Sequence, residues 1–425
     1  MRDLIRSFAA TALIQLANIA SGVLLARILL PEGRGELAAV ILWPTVLGGI
    51  GLWGLPEATA FCIARQPSHR GQILPAALTI AVGLSVILLP IGWIVIDRIA
   101  LGYSPEARAA AFLYLGFIPL NLVSSAVSSM HQGSLSIGRW NALRITVHVI
   151  YPALIVLLYL AGRASVPTFA AAMLVANVAP IVIGLILARG KGWFGGGPRR
   201  EEVRALLSFG GKVHVGNTIA MLSERADQLA ISLLLSPVAL GLYVVAMTIG
   251  RGMGAIGETM SVLAFPKVAY AEGLAAQAAI AGRHARAVLL MSVVAAAIGI
   301  PLTPMVVVWV FGPEFASAVP VTQVLLLAVV PLNVKTVLAA VLKGVDRGLD
   351  VGFIQAASLL VSVLLLLLLL PTVGLLGAAI AFLITQVVTV AMLARKVRQR
   401  FNLPLPDFLL PKRSDLALSA FFTRS

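Results

Sequence analysis

The chain has 425 residues, 60% of them hydrophobic and only 12% charged, and its mean hydropathy is +0.99. Soluble domains carry roughly 25% charged residues, so the composition excludes an ordinary soluble enzyme and indicates apolar runs that cross a bilayer between short charged breaks. The net charge of +15 would suit nucleic acid in a soluble protein, but here the basic residues lie between apolar runs or in the C-terminal tail, where they set topology instead.

A helical span needs about 20 apolar residues. The chain opens with Arg2 and Arg6 and then runs apolar over 8–30. That start imitates a signal peptide, yet the run is long enough to span and lacks a clean small-residue cleavage site, so it reads as a retained first helix. Further spans are expected at 37–64, 73–96, 110–130, 145–160 and 167–188. The second of these is rich in glycine at Gly48, Gly49, Gly51 and Gly54. A break before Pro56 would leave Glu57 to cap the new segment.

Residues 189–204 form the longest basic, Gly-rich interruption and include Gly195-Gly196-Gly197-Pro198-Arg199-Arg200. Six more spans follow at 213–235, 238–264, 287–310, 318–342, 351–370 and 372–394, and the stretch 361–370 is apolar enough to face lipid. The expected layout is therefore an all-α integral membrane protein of about twelve spans. A six-helix bundle (1–190), a cytoplasmic basic linker (191–204), a second six-helix bundle (205–395) and a cytoplasmic basic tail (396–425) follow in order. The tail, with Pro404, Pro406 and Pro411, suits either an interfacial segment or a disordered one.

Placing the N-terminus inside puts about 23 Lys and Arg on the cytoplasmic side against about four outside, the bias that orients inner-membrane proteins. Both termini are then cytoplasmic, and every outer loop is short, which argues against an enzyme with a large external catalytic domain. Cys62 is the single cysteine and lies in an apolar stretch, and the five histidines show no metal-ligand spacing, so no catalytic or metal site is expected.

An internal repeat supports two halves. Leu29-Leu30-Pro31-Glu32-Gly33-Arg34-Gly35-Glu36-Leu37 precedes the second span, and Leu235-Ser236-Pro237-Val238-Ala239-Leu240-Gly241-Leu242-Tyr243 precedes the eighth. Proline and glycine recur at the same spacing, each pair between two long apolar runs. Two six-helix halves put both hairpins on one side of the membrane, so the repeat is parallel, as in transporters that work by alternating access.

With these residues the sequence resembles the polysaccharide transporter and O-antigen flippase family. That family lies within the multidrug/oligosaccharidyl-lipid/polysaccharide exporter (MOP) superfamily. The resemblance rests on Ile28 to Ala38 and on Arg225-Ala226-Asp227 followed by Leu240-Gly241-Leu242-Tyr243 and Ala246. It implies a V-shaped, MATE-like pair of bundles that flips a polyprenyl-pyrophosphate-linked oligosaccharide, an O-antigen or exopolysaccharide repeat unit. It also implies membrane lipids, a polysaccharide polymerase and glycosyltransferases as partners. Lipid II flippases of the superfamily typically carry two extra helices, which are not found here.

Charges inside the spans are the candidate site, because each costs at least ~2.5–3.5 kcal/mol at bilayer depth. Arg27 either snorkels to the outer interface or meets the cargo's phosphates, for which a planar guanidinium is suited. Glu224 and Asp227 are three residues apart and are expected to share a face with Arg225 turned away. They form either a self-neutralised structural cluster or a coupling site for H⁺ or Na⁺, and Asp227 is the stronger candidate because it lies in the family motif. Arg251 and Glu258 are two turns apart among Gly250, Gly252, Gly254 and Gly257, and read either as a helix-bridging ion pair or as a cavity arginine with a moderating carboxylate. Lys335 either pairs with Glu224 or Asp227 or adds a cation. The candidate cargo-binding set is thus Arg27, Arg225, Arg251 and Lys335, and the candidate coupling set Asp227, Glu224 and Glu258. Arg34 is expected in the outer interface. No cofactor is expected. The rival readings are a cation-coupled multidrug exporter, which should present an acidic cavity, a membrane glycosyl-transfer enzyme, and a non-transporting scaffold.

Overall fold

The structure, a computed structural model, describes residues 2–99, 102–189 and 192–401, with side chains from Arg6 onward apart from Phe8. The tail beyond Phe401 and Lys191 of the linker lie outside the described residues. All regular structure among the described residues is helical.

α1 (Arg2–Gly51) contains two membrane helices joined at Leu30, whose φ of 59° and ψ of 178° break the helical path. Pro31 explains the position, since a proline disfavours helical geometry in the residue before it. The expected interruption of the second span is present: Trp53 and Gly54 take φ of 49° and 64°, and α2 (Leu55–Arg65) restarts with proline at its second position. A short 3-10 turn, Pro67–His69, leads to α3 (Arg70–Ile99). The fourth expected span is also two pieces, α4 (Pro105–Tyr114) and α5 (Phe117–Gly133). The Ser104 hydroxyl accepts the Ala107 N–H at 3.2 Å to start α4. α6 (Ile137–Leu160) and α7 (Val166–Ala188) complete the first half.

α8 (Arg200–Leu234) begins inside the expected linker, and α9 (Pro237–Tyr270) follows after a two-residue turn. α10 (Leu274–Val306) runs into a π-helical turn, Val307–Phe311, then a 3-10 stretch, Pro313–Ala318. α11 (Val319–Gly344), α12 (Gly348–Val373) and α13 (Leu375–Phe401) finish the fold. Among the described residues ten stretches are long and apolar enough to cross a membrane. Counting the two parts of α1 separately and adding α8 recovers the twelve expected. α8 has 35 residues, ample length, and falls short in hydropathy because it carries Lys212, Glu224, Arg225 and Asp227.

Packing divides the chain into two compact units at Val244/Val245, inside α9, and not within the Gly-rich linker. The core of the first unit joins Leu37, Leu74, Tyr114, Ile118, Leu122 and Phe169, all essentially inaccessible, with a set of alanines that includes Ala77, Ala110, Ala126 and Ala170. The second unit packs Ala281, Ala285 and Val288 of α10 against Val337, Leu338 and Val341 of α11 and Val397 of α13. Lipid is as apolar as leucine, so such bundles are held by close van der Waals packing, which small residues permit. The stretch 361–370 exposes Val363, Leu364, Leu367 and Leu368 and buries Ser362, Leu366 and Leu370, so its single hydroxyl is turned inward.

Candidate functional site

The two halves of the internal repeat touch. A Cβ on Gly35 would overlap the Pro237 carbonyl and crowd the Gly241 amide, and one on Gly241 would overlap the Pro31 carbonyl and crowd the Gly35 amide. The contact is reciprocal: each glycine receives the other repeat's proline carbonyl. It ties the second part of α1 to the start of α9, which is why the first unit extends past the linker to Val244. Polar bonds reinforce the same end. Trp43 Nε1 donates to Ser232 Oγ at 3.2 Å, Tyr103 Oη donates to the Ser232 carbonyl at 3.2 Å, and the buried Glu36 carboxylate accepts the Ser104 N–H at 3.0 Å. Burial, and then the negative charge of Glu36, pushes the Tyr103 hydroxyl up to about 12.

Asp227 sits beside this contact. Its Oδ2 accepts the Tyr243 hydroxyl at 2.6 Å and its Oδ1 the Gln228 N–H at 2.7 Å, and both side chains of the Asp227–Tyr243 pair are buried. Aspartate and tyrosine, which lie in separate motifs of the sequence, therefore clamp the α8–α9 hairpin. Glu224, expected to share a face with Asp227, is exposed whereas Asp227 three residues on is buried. Arg225 is half-buried and donates to Gln228 Oε1 at 3.3 Å. Arg27 is exposed in the last turn before the Leu30 kink. Glu57 does not cap α2, since its carboxylate accepts Asn217 Nδ2 of α8 at 3.1 Å. Arg34 is half-buried and helical, in the first turn after the Leu30 kink.

In the second unit Arg251 and Glu258 are both exposed near the middle of α9, about 10 Å apart along the axis. Neither has an ion-pair partner among the described residues. Of the four glycines around them only Gly257 makes a close approach, its Cα facing Asn333 of α11, whereas Gly252 and Gly254 face open space. Asn333 is buried and its amide donates to the Met253 carbonyl at 3.2 Å and to Ser292 Oγ at 2.9 Å, so it knots α9, α10 and α11. Lys335, two residues on, is half-buried.

Sequence reasoning missed a polar seam between α1 and α6. His148 Nδ1 lies 2.9 Å from Asn18 Oδ1, Asn141 Nδ2 donates to Ser7 Oγ at 2.9 Å, and the Arg144 guanidinium stacks 4.6 Å from the Trp140 ring. The span expected at 145–160 leaves Arg144 just outside it, in a loop. α6 begins seven residues before it, which places it within the helix. The available signal was its spacing: 141, 144 and 148 share one helical face.

The chain matches the family model described as polysaccharide biosynthesis protein over residues 1–255. The chain belongs to the polysaccharide biosynthesis protein family. No curated protein matches the chain in sequence. Solved structures similar to it include an inward-facing multidrug resistance MATE family transporter of the MOP superfamily, with a TM-score of 0.75 at 16% identity over 92% of this chain and 94% of that one. The lipid II flippase MurJ in an inward closed conformation gives 0.77 at 12% identity, covering 95% and 89%. A MOP superfamily transporter from Pyrococcus furiosus gives 0.58 at 16%, covering 94% of each chain. This member of the polysaccharide biosynthesis family thus has the all-helical membrane fold of MATE and MurJ. At these identities the likeness carries the fold and leaves the cargo to the residues.

Proposed function

We propose that the protein flips a polyprenyl-pyrophosphate-linked oligosaccharide, an O-antigen or exopolysaccharide repeat unit, from the cytoplasmic to the outer leaflet of a bacterial inner membrane. It works as a transporter and not as an enzyme, with both termini in the cytoplasm. Membership of the polysaccharide biosynthesis family supports the cargo class, and the nearness in fold to a flippase whose own cargo is lipid II supports a lipid-linked one. The observation that carries the reading is Arg251, a permanent cation exposed at the middle of a membrane helix with no acid pairing it among the described residues. Such a charge is tolerable only against water or an anion, and a sugar diphosphate supplies the anion. Arg27, Arg225 and Lys335 add to the cationic set. Asp227, with Glu224 and Glu258, serves coupling: protonating Asp227 or binding Na⁺ there weakens its bond to Tyr243 and so loosens the hairpin that holds Gly241 against Pro31.

The resemblance to MATE transporters favours a second reading, export of cationic drugs. Deletion of the protein followed by leaflet-resolved measurement of polyprenyl-linked sugars separates the two. Accumulation on the cytoplasmic side is the expected result. An unchanged distribution together with hypersensitivity to cationic dyes would replace flipping by drug export, and an unchanged distribution with a block in polymer assembly would leave a scaffold.

A further inference from the structure

The α1–α6 seam contains ionisable and amide groups that the coupling and cargo sets leave unused. His148 is the twelfth of the 24 residues of α6, the middle of a span. Its Nδ1 faces Asn18 Oδ1 of α1 at 2.9 Å, and that geometry makes Nδ1–H the donor and leaves Nε2 as the atom that gains a proton. One turn earlier, Arg144 lies flat on Trp140 with Nη1 3.5 Å from Asn141 Oδ1, and Asn141 in turn reaches Ser7 of α1. These side chains form a stripe about 10 Å long, by the helical rise of about 1.5 Å per residue. Asn18 is exposed and His148 is part-exposed, so the stripe opens outward from the seam.

The charges facing the seam have one sign. α6 carries no carboxylate, and α7, which packs on it, has no ionisable side chain. α5 offers only His131, buried against the Gly184 carbonyl. On α1 the described ionisable groups before the kink are Arg6 and Arg27, and its described carboxylates, Glu32 and Glu36, lie beyond it, Glu36 already bonded to Ser104. Charging His148 next to Arg144 therefore adds a cation with no acid among these groups to balance it. The missing partner is an anion. A diphosphate matches the planar fork of Arg144, amides such as Asn18 suit sugar hydroxyls, and the exposed Leu13, Leu16 and Val149 around them suit the prenyl chain.

We propose that this seam is a binding site for the diphosphate head of a prenyl carrier, and that its occupancy is linked to protonation of His148. The inference rests on the flippase reading above. Binding of the anion draws a proton from the buffer acid onto Nε2, and by linkage a proton on Nε2 tightens the anion.

The test uses the full chain in lipid nanodiscs with farnesyl diphosphate as probe, titrated calorimetrically in buffers of different ionisation enthalpy. The expected result is saturable binding with proton uptake in the wild type, uptake lost in His148→Gln while binding persists, and affinity reduced about tenfold or more in Arg144→Gln, with partial rescue by Arg144→Lys. Inorganic pyrophosphate as competitor separates a carrier head from free phosphate, and should compete only weakly. Pyrophosphate binding as tightly as farnesyl diphosphate would overturn the carrier assignment. Unchanged affinity in well-folded Arg144→Gln, or proton uptake unchanged in His148→Gln, overturns the seam site and leaves the flippase reading standing. A wild type that ignores the probe and binds a cationic dye overturns both.

Discussion

A buried carboxylate with a tyrosine hydroxyl 2.6 Å away is a charge-assisted bond, and bonds of that kind contribute about 1.5–3 kcal/mol. Tyr243→Phe removes it, while Asp227 keeps the Gln228 N–H. The expected outcome is a loss of that size in stability, read as a lower thermal midpoint in detergent. Asp227→Asn keeps the shape and a hydrogen bond from Tyr243 but removes the charge. It should hold the fold yet leave flipping insensitive to collapse of the H⁺ or Na⁺ gradient, measured in vesicles with ionophores. Retained sensitivity would move coupling to Glu224 or Glu258. Arg251→Ala and Arg27→Ala should impair complementation with undiminished amounts of folded protein, because both side chains are exposed and neither fills the core. Normal complementation by both would take them out of the cargo path. Tyr103 gives a dependence on pH. Its hydroxyl is pushed from the usual value of about 10 up to about 12 by burial and by Glu36, so the folded state holds its proton more tightly than the unfolded chain. The resulting stability is fully present below about 10, and is lost between about 10 and about 12 as the unfolded tyrosine ionises first. Thermal midpoints should fall across that window, and less steeply in Tyr103→Phe.

Helices meet at glycines here, and the repeat contact makes that testable. Gly35→Ala or Gly241→Ala places a methyl group on a proline carbonyl that belongs to the backbone and cannot rotate away. Overpacking of this kind costs about 1–3 kcal/mol, and both variants should lose transport before they lose expression. Gly257→Ala, pressed on Asn333, should behave alike, whereas Gly252→Ala and Gly254→Ala, which meet nothing, should be neutral in the same complementation assay. The sequence could show the two Pro–Gly repeats but not that they face each other, because spacing reports periodicity within a segment and is silent on partners far along the chain. The same reason hid His148 and Asn18: each is an isolated polar residue in an apolar run, and only the helix pairing makes them a site. Arg144 was misplaced because a charge next to an apolar run looks like its boundary, whereas cation–π stacking on Trp140 lets it stay in the helix. By contrast, the break before Pro56 and the kink before Pro31 were readable, since proline acts on its own backbone and needs no distant partner.

At the scale of the molecule, contacts decide which loops share a membrane side. Within the first unit, Glu36 meets Ser104, and Pro31–Gly35 meets Pro237–Gly241, so these belong to one end. His69 lies 3.2 Å from Glu202, and Arg70 stacks 5.4 Å from the Trp193 ring, so the turn after α2 and the linker belong to the other. In the second unit Gly344 abuts the backbone at Phe265, and Asp350, just past the turn into α12, meets Lys396 at 3.0 Å, which groups the ends of α9, α11 and α13 with the start of α12. Contacts alone leave open which end is inside; the excess of Lys and Arg predicts that the end with Arg65, Arg70, Arg199 and Arg200 lies in the cytoplasm. The prediction is checked in a Cys62→Ser background, which is otherwise free of thiols. Gly102→Cys and Arg163→Cys should react with a membrane-impermeant maleimide in intact spheroplasts, and Phe194→Cys and Arg347→Cys only after lysis. Reaction of Phe194→Cys before lysis would invert the first unit, put the Gly35–Gly241 contact on the cytoplasmic side, and require cargo to enter from the end now taken as its exit.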